Sequence, residues 1–212
     1  MRTPKINLTF ALAVALSFLG AGLSWSQEDV AFRAVRVKGN VTAYHNENDE
    51  TARLYTNQTV DDGDKVTTAS DSEVVLRIKE KTYLYLAPRT KVIIRKLRQG
   101  DKGLECEVNL VTGRMLCQLE EAPQGAVEVT AGSILFREHG TLFEISRNGD
   151  ELTAVSFIGA MVANFHGKTK MAKDNEVLKL DHGKFQNKTH HLTKDQDGHL
   201  KAWQSLLADI SK

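Results

Sequence analysis

The residues of this chain best suited to chemistry are its seven histidines, its two cysteines and several aspartates. His190, His191 and His199 lie close to Asp195 and Asp197, with His182 upstream. A metal ion needs three or four ligands brought to one point. These spacings match neither a helical ligand pair nor a common zinc pattern, so they read as solvated loop histidines and not as a metal site. Asp195-Gln196-Asp197-Gly198 opens like a calcium loop. Such a loop needs a bidentate acid at its twelfth position, and Leu206 stands there. Capping of a helix accounts for the two aspartates instead. Nucleophile motifs of the Gly-x-Ser-x-Gly, Ser-x-x-Lys and His-Glu-x-x-His kinds do not occur. Neither a phosphate loop nor a dinucleotide fingerprint is found. The expectation is a non-enzymatic protein without a cofactor.

Cys106 and Cys117 have two readings. If Leu110 to Gly113 is a tight hairpin end, the two fall opposite each other and can bridge in an oxidising compartment, worth about 2–3 kcal/mol on a chain-entropy basis. Otherwise they are two small core thiols. A basic stretch, Arg89, Lys91, Arg95, Lys96, Arg98 and Lys102, alternates with Val92, Ile93, Ile94 and Leu97. It suits an anionic partner such as lipopolysaccharide or an acidic protein face. It suits better the solvated side of a strand that resists edge pairing, since Asp101, Glu105 and Glu107 dilute its charge.

The N-terminus reads as a secretory leader. Arg2 and Lys5 precede a mostly apolar run from Leu8 to Leu23, and Ser24 and Ser26 supply the small residues for cleavage after Ser26. The whole chain has 28 basic and 27 acidic side chains; with the two basic residues of the leader removed, charge is nearly balanced and offers no argument for nucleic acid. No later segment is long and apolar enough to span a bilayer as a helix.

Short runs rich in β-branched and aromatic residues follow one another for about 150 residues, a strand signal. Among them are Phe32 to Val37, Val74 to Ile78, Thr82 to Leu86, Lys91 to Leu97, Leu104 to Leu110, Met115 to Leu119, Val127 to Thr130, Leu142 to Ile145 and Leu152 to Ile158. Turn residues separate them, including Thr112-Gly113 and Asn148-Gly149-Asp150, the second being the best hairpin signal. Three segments share one pattern: Gly39 to Ala43, Gly113 to Cys117 and Gly159 to Ala163 each begin with glycine, with Val or Met two places on and a small residue four places on. On a strand those last two positions share a face. At the C-terminus the apolar spacing of Leu200, Trp203, Leu206, Leu207 and Ile210 predicts an amphipathic helix over about 197–211, capped by Asp195 or Asp197 and covering an open end or edge of the β body. The expected organisation is a leader at 1–26, a β domain at 27–192 and a helical segment at 193–212 packed on it.

Two further motifs stand about 75 residues apart. Asp62-Gly63-Asp64-Lys65-Val66-Thr67-Thr68 is followed by Ser72, and His139-Gly140-Thr141-Leu142-Phe143 comes later. Together they resemble the FecR family, which carries a Gly-Asp-x-Val/Ile-x-Thr turn and then an Arg-Gly-Thr-x-Phe turn. The order of intervening features is similar too, over roughly Val35 to Val162. His139 replaces the family's usual arginine, and Lys79-Glu80-Lys81 stands where many members have Asp-Gly. The resemblance implies an all-β fold of stacked antiparallel strands in a solenoid- or sandwich-like body. It implies that Gly63, Asp64, Thr68, Gly140, Thr141 and Phe143 are turn-forming residues and not a binding site. In the family's best-known members this domain senses a loaded outer-membrane transporter and relays to a cytoplasmic sigma-factor-binding segment. Here the resemblance covers the sensing domain without that segment. The expected role is binding or signalling in the periplasm or outside the cell, with an envelope protein as partner and a glycan or lipopolysaccharide as the alternative.

Overall fold

The structure, a computed structural model, describes residues 30–78, 82–100, 103–119, 127–182, 184–186 and 190–210. The predicted leader lies outside that range. In chain order the strands are Phe32–Lys38 (β1), Val41–His45 (β2), Glu50–Arg53 (β3), Thr59–Val60 (β4), Lys65–Thr68 (β5), Glu73–Ile78 (β6), Thr82–Leu86 (β7), Lys91–Gly100 (β8), Gly103–Leu119 (β9), Val127–Ala131 (β10), Ile134–Asn148 (β11), Glu151–Phe165 (β12), Lys168–Ala172 (β13), Glu176–Asp181 (β14), Lys184–Phe185 (β15) and His190–His191 (β16). Among the described residues one helix, Lys194–Ile210 (α1), follows.

The pairings resolve these strands into a two-layer sandwich. The front layer runs β3-β2-β5-β8, then the first half of β9, β10, the first half of β11, the second half of β12, and β13. The back layer runs β4-β1-β6-β7, the second half of β9, the second half of β11, the first half of β12, and β14, which β15 and β16 both join. Among the described residues the pairings are antiparallel except that of β9 with β10. Three strands, β9, β11 and β12, therefore belong to both layers and bend between them.

Glycine marks these crossings. Gly113 bends β9 at φ +94°, Gly159 bends β12 at φ +88°, and Gly39 carries the chain from β1 in the back layer to β2 in the front at φ +76°. A Cβ on Gly113 would sit 2.5 Å from the Thr90 Cα, so the position demands both positive φ and close backbone approach. The repeated pattern in the sequence is this corner. Val41, Ala43, Met115, Cys117, Met161 and Ala163, the residues two and four places after each glycine, all lie in the core between the layers.

This geometry overturns the hairpin expected at residues 110–113. The Gly113 bend continues one strand into the other layer, so Cys106 and Cys117 are not cross-strand neighbours. Both are buried thiols in the structure, and both line one apolar void of about 10 Å³ between the layers. Burial pushes the Cys106 thiol up to about 12. The hairpin predicted at Asn148-Gly149 does form, shifted by one residue: Asn148 pairs with Glu151, and Gly149 and Asp150 make the loop. Of those two only Gly149 has positive φ, as a II′ turn requires.

The back layer is buried on both faces, which explains why β6 and β7 read as near-continuous apolar runs. Val74, Leu76 and Ile78 point into the main core, while Val75 joins a second cluster with Tyr83, Leu116, Leu142, Val155, Phe157 and Val177 on the outer side. Trp203 of α1 seals that cluster. The helix thus covers a sheet face and not an open end or an edge. Its cap also differs from the one predicted. Thr193 Oγ1 accepts from the Gln196 amide at 3.3 Å, and Gln196 Oε1 accepts from the Thr193 amide at 2.9 Å, a reciprocal capping box. Asp195 and Asp197 sit in the first turn, where their charge favours the helix N-terminus.

Candidate functional site

The motif residues are spent on turns at the two ends of β5. Before the strand, Asp64 is buried and its carboxylate accepts from His45 Nδ1 at 2.8 Å, the Asn46 amide at 2.9 Å and the Asp61 amide at 3.0 Å. It ties the end of β2 to the turn entering β5. Gly63 has φ +86°, and a Cβ there would meet the Asn46 side chain at 2.8 Å. After the strand, Thr68 Oγ1 donates to the Ala87 carbonyl at 2.7 Å and accepts from the Thr90 amide at 2.8 Å. Thr90 Oγ1 then donates to the Arg114 carbonyl at 3.1 Å and accepts from its amide at 3.0 Å. Ser72 Oγ accepts from the Asn40 amide at 2.7 Å. A seam of side-chain hydroxyls thereby joins successive corners where the chain passes between layers. Gly140 and Thr141 fall at the β11 bend, where the register with β12 shifts between His139 and Leu142; their side chains lie outside the described set. Phe143, just beyond, is buried in the main core.

The basic residues do not form one row. Arg89 sits in the corner before β8 with φ +57°. Lys91, Arg95, Lys96 and Arg98 lie on β8, which is held between β5 over residues 91–93 and β9 along its length. A register shift between Ile94 and Lys96 keeps Val92, Ile94 and Leu97 all buried. Lys96 Nζ and Arg98 Nε both reach Glu105 Oε2, at 2.6 and 2.8 Å, and their bonds hold the Glu105 carboxyl below its ordinary range. Further along the front face, Arg137 Nε pairs with Glu128 at 2.7 Å. The face is therefore a mixed-charge surface, not a cationic track. The histidines are dispersed: His182 pairs with Asp181, His190 with Gln186, and His199 with Glu144. Among the described residues, no three His, Cys, Asp or Glu side chains come together as metal ligands.

A concavity of about 370 Å³ runs along the junction of α1 with the back layer. Arg36, Glu73, Tyr85, Arg114, Glu144 and His199 supply its polar wall. Glu144 is only 5 % exposed, and its carboxylate is paired by Arg114 at 3.5 Å and by His199 Nδ1 at 3.2 Å. The Tyr85 hydroxyl donates to Glu73 at 3.1 Å; burial, with the Glu73 charge beside it, pushes its pKa up to about 12. Beside this polar wall, Trp203 lies against Tyr83 and Tyr85, with ring centroids 6.3 and 5.9 Å away, and its Nε1 donates to Gln118 Oε1 at 2.7 Å. Such contacts add to area burial by satisfying the indole N–H. Sequence reasoning found Trp203 but not Glu144, Arg114 or Gln118. The available signal was a single acid, Glu144, inside the apolar run Leu142-Phe143-Glu144-Ile145.

No helix among the described residues is long and apolar enough to cross a membrane. Residues 64–162 match the model of the FecR protein family. No curated protein matches the sequence. Two crystal structures of candidate anti-sigma factors from Parabacteroides distasonis ATCC 8503, at 2.50 and 1.65 Å resolution, share the fold, each with a TM-score of 0.52 and 10% identity. The match covers 66% of this chain and 63% and 64% of theirs, less than two thirds of each neighbour. Buried Asp64, the Thr68 seam and the Gly140-Thr141 bend all lie within the matched span, and it is over residues 64–162 that the chain is similar to a FecR domain.

Proposed function

We propose that this chain is an exported, non-enzymatic binding or signalling domain of the cell envelope that contacts a protein partner. In this reading residues 1–26 are the leader, 27–192 the β domain and 193–212 its helical segment, with the processed protein released to the periplasm or beyond. The observation that carries the proposal is how the FecR signature is used. Asp64 and Thr68, its polar side chains, are committed to internal hydrogen bonds, so the domain offers shape and surface where an enzyme would offer a free nucleophile. Regulation in this family works through protein contacts, and the candidate anti-sigma factors of like fold support the same class of role. A polymer partner is the weaker reading, because Glu105 occupies both Lys96 and Arg98.

The test is capture from solubilised envelope of the producing cells with residues 27–212 as bait, beside a Lys91→Glu/Arg95→Glu/Lys96→Glu variant. The expected result is one saturable protein partner held by the wild type and the variant alike. Loss of capture in the variant would make β8 the contact. Recovery of glycan or lipopolysaccharide without protein would overturn the protein-partner reading.

A further inference from the structure

The apolar outer face of the back layer is built mostly from the FecR span, yet its cover comes from outside that span. Val75, Tyr83, Leu116, Leu142, Val155 and Phe157 fall within residues 64–162, whereas α1 occupies Lys194–Ile210. A sheet face of this composition needs an apolar cover, and here an appended amphipathic helix provides it. The seat defines what it accepts. An indole fits against Tyr83 and Tyr85 with Gln118 taking its N–H. One turn earlier, His199 meets the buried carboxylate of Glu144. After the indole, Leu206, Leu207 and Ile210 lie along the sheet.

The helix fills this seat incompletely, and part of its stabilisation is local to it. Of its residues only Gln196 and Trp203 are fully buried. Leu200, Leu206, Leu207 and Ile210 are half-buried, and the cleft of about 370 Å³ stays open beside them. The capping box uses Thr193 and Gln196, and Lys201 pairs with Asp197 one turn away, so these stabilising contacts are internal to the segment. Directly before the helix, the two-residue β16 pairs with the sheet against Val177 and Glu176.

We propose that the outer face of the back layer is a helix-binding groove and that α1 is its exchangeable resident. The occupant that replaces it is an amphipathic helix of a protein partner carrying a cation, an aromatic anchor four residues later, and leucine-type residues three and four further on. Helix-in-groove recognition reads such anchors at turn spacing. The resident lowers the groove's apparent affinity by the fraction of time it is docked, so a partner must outcompete it. Only the identity of the occupant rests on the protein-partner reading; the groove and the exchange stand apart from it.

The test uses the processed protein, residues 27–212, and a labelled peptide of the α1 sequence, residues 192–210, titrated by fluorescence anisotropy. Trp203→Ala in the protein releases its own helix, seen as faster amide exchange in α1 with β7 and β9 still protected. This variant is expected to bind the wild-type peptide about tenfold more tightly than the wild-type protein does. A peptide carrying the same substitution should lose binding, and Glu144→Gln in the released protein should weaken it. A Leu206→Ala/Leu207→Ala protein serves in the same way if Trp203→Ala fails to fold. Release of α1 without peptide binding overturns the proposal, as does unchanged protection of α1 in both variants. Peptide exchange with no envelope partner captured would keep the groove and remove the partner reading. Capture of a partner that does not compete with the peptide would overturn the groove as its site.

Discussion

Asp64→Ala should weaken the fold well beyond the effect of an ordinary surface change. The carboxylate is 3 % exposed and accepts three hydrogen bonds, two of them from the backbone amides of Asn46 and Asp61. Truncation leaves both amides without their acceptor, at about 1–3 kcal/mol each, and removes a charge-assisted bond from His45. Partial rehydration from the adjoining surface returns some of this, so the expected loss is about 3–5 kcal/mol. Against a typical domain stability of about 5–15 kcal/mol, the variant stays folded but loses much of its margin. Asp64→Asn retains one carbonyl acceptor while presenting N–H to a donor, and should lose about half as much. Equilibrium urea unfolding followed by Trp203 fluorescence measures both, because Trp203 reports the helix-covered face on the far side of the sandwich from this turn. A loss below about 1 kcal/mol for Asp64→Ala would refute the argument that this carboxylate organises the β2–β5 junction.

Gly113→Ala forces a side chain into positive φ and drives a Cβ to 2.5 Å from the Thr90 Cα; since backbone cannot swing aside, at least about 3 kcal/mol should be lost, read from the urea midpoint. Thr193→Ala removes half the capping box and should lower stability by about 1 kcal/mol, with amide exchange rising first in the opening turn of α1. Tyr85 titrates near 12 in the folded protein against an ordinary value of 10.0. A raised folded value means its contribution is fully present below pH 10 and is lost as pH climbs from 10 towards 12. Tyr85→Phe should therefore flatten the fall in urea midpoint over that window, and an unchanged slope would place the alkaline sensitivity elsewhere.

Much of the β architecture was legible because most inward positions are apolar and alternate, as in Phe32 to Val37 and Val127 to Ala131. What misled was punctuation. Thr112-Gly113 reads as the end of a strand, since glycine after a β run commonly marks a turn. In the fold it is a bend within β9, and the two runs on either side are one strand in two layers. The glycine pattern shared by residues 39, 113 and 159 already held that information, but period and composition do not reveal that a chain changes sheet. The helix was visible from its apolar spacing. Its start is harder to read, because Asp195 and Asp197 are capping residues by type and stand just after Thr193-x-x-Gln196, the capping signature that the fold uses. The cleft beside it was not legible, since Arg114 and Glu144 meet only through the pairing of β9 with β11.

The three strands shared between layers also constrain how this protein comes apart. In a sandwich of separate sheets, one layer can loosen while the other persists. Here β9, β11 and β12 would each have to break midway for that to happen, and each bend sits in or beside the packed core. The layers therefore form one cooperative unit, without a foldon boundary between them. Assembly is correspondingly slow, because residues of β1 and β6 or of β7 and β9 must find each other across long separations in sequence before any corner closes. Pulled from its ends, such a chain should resist as a single rip and not as two.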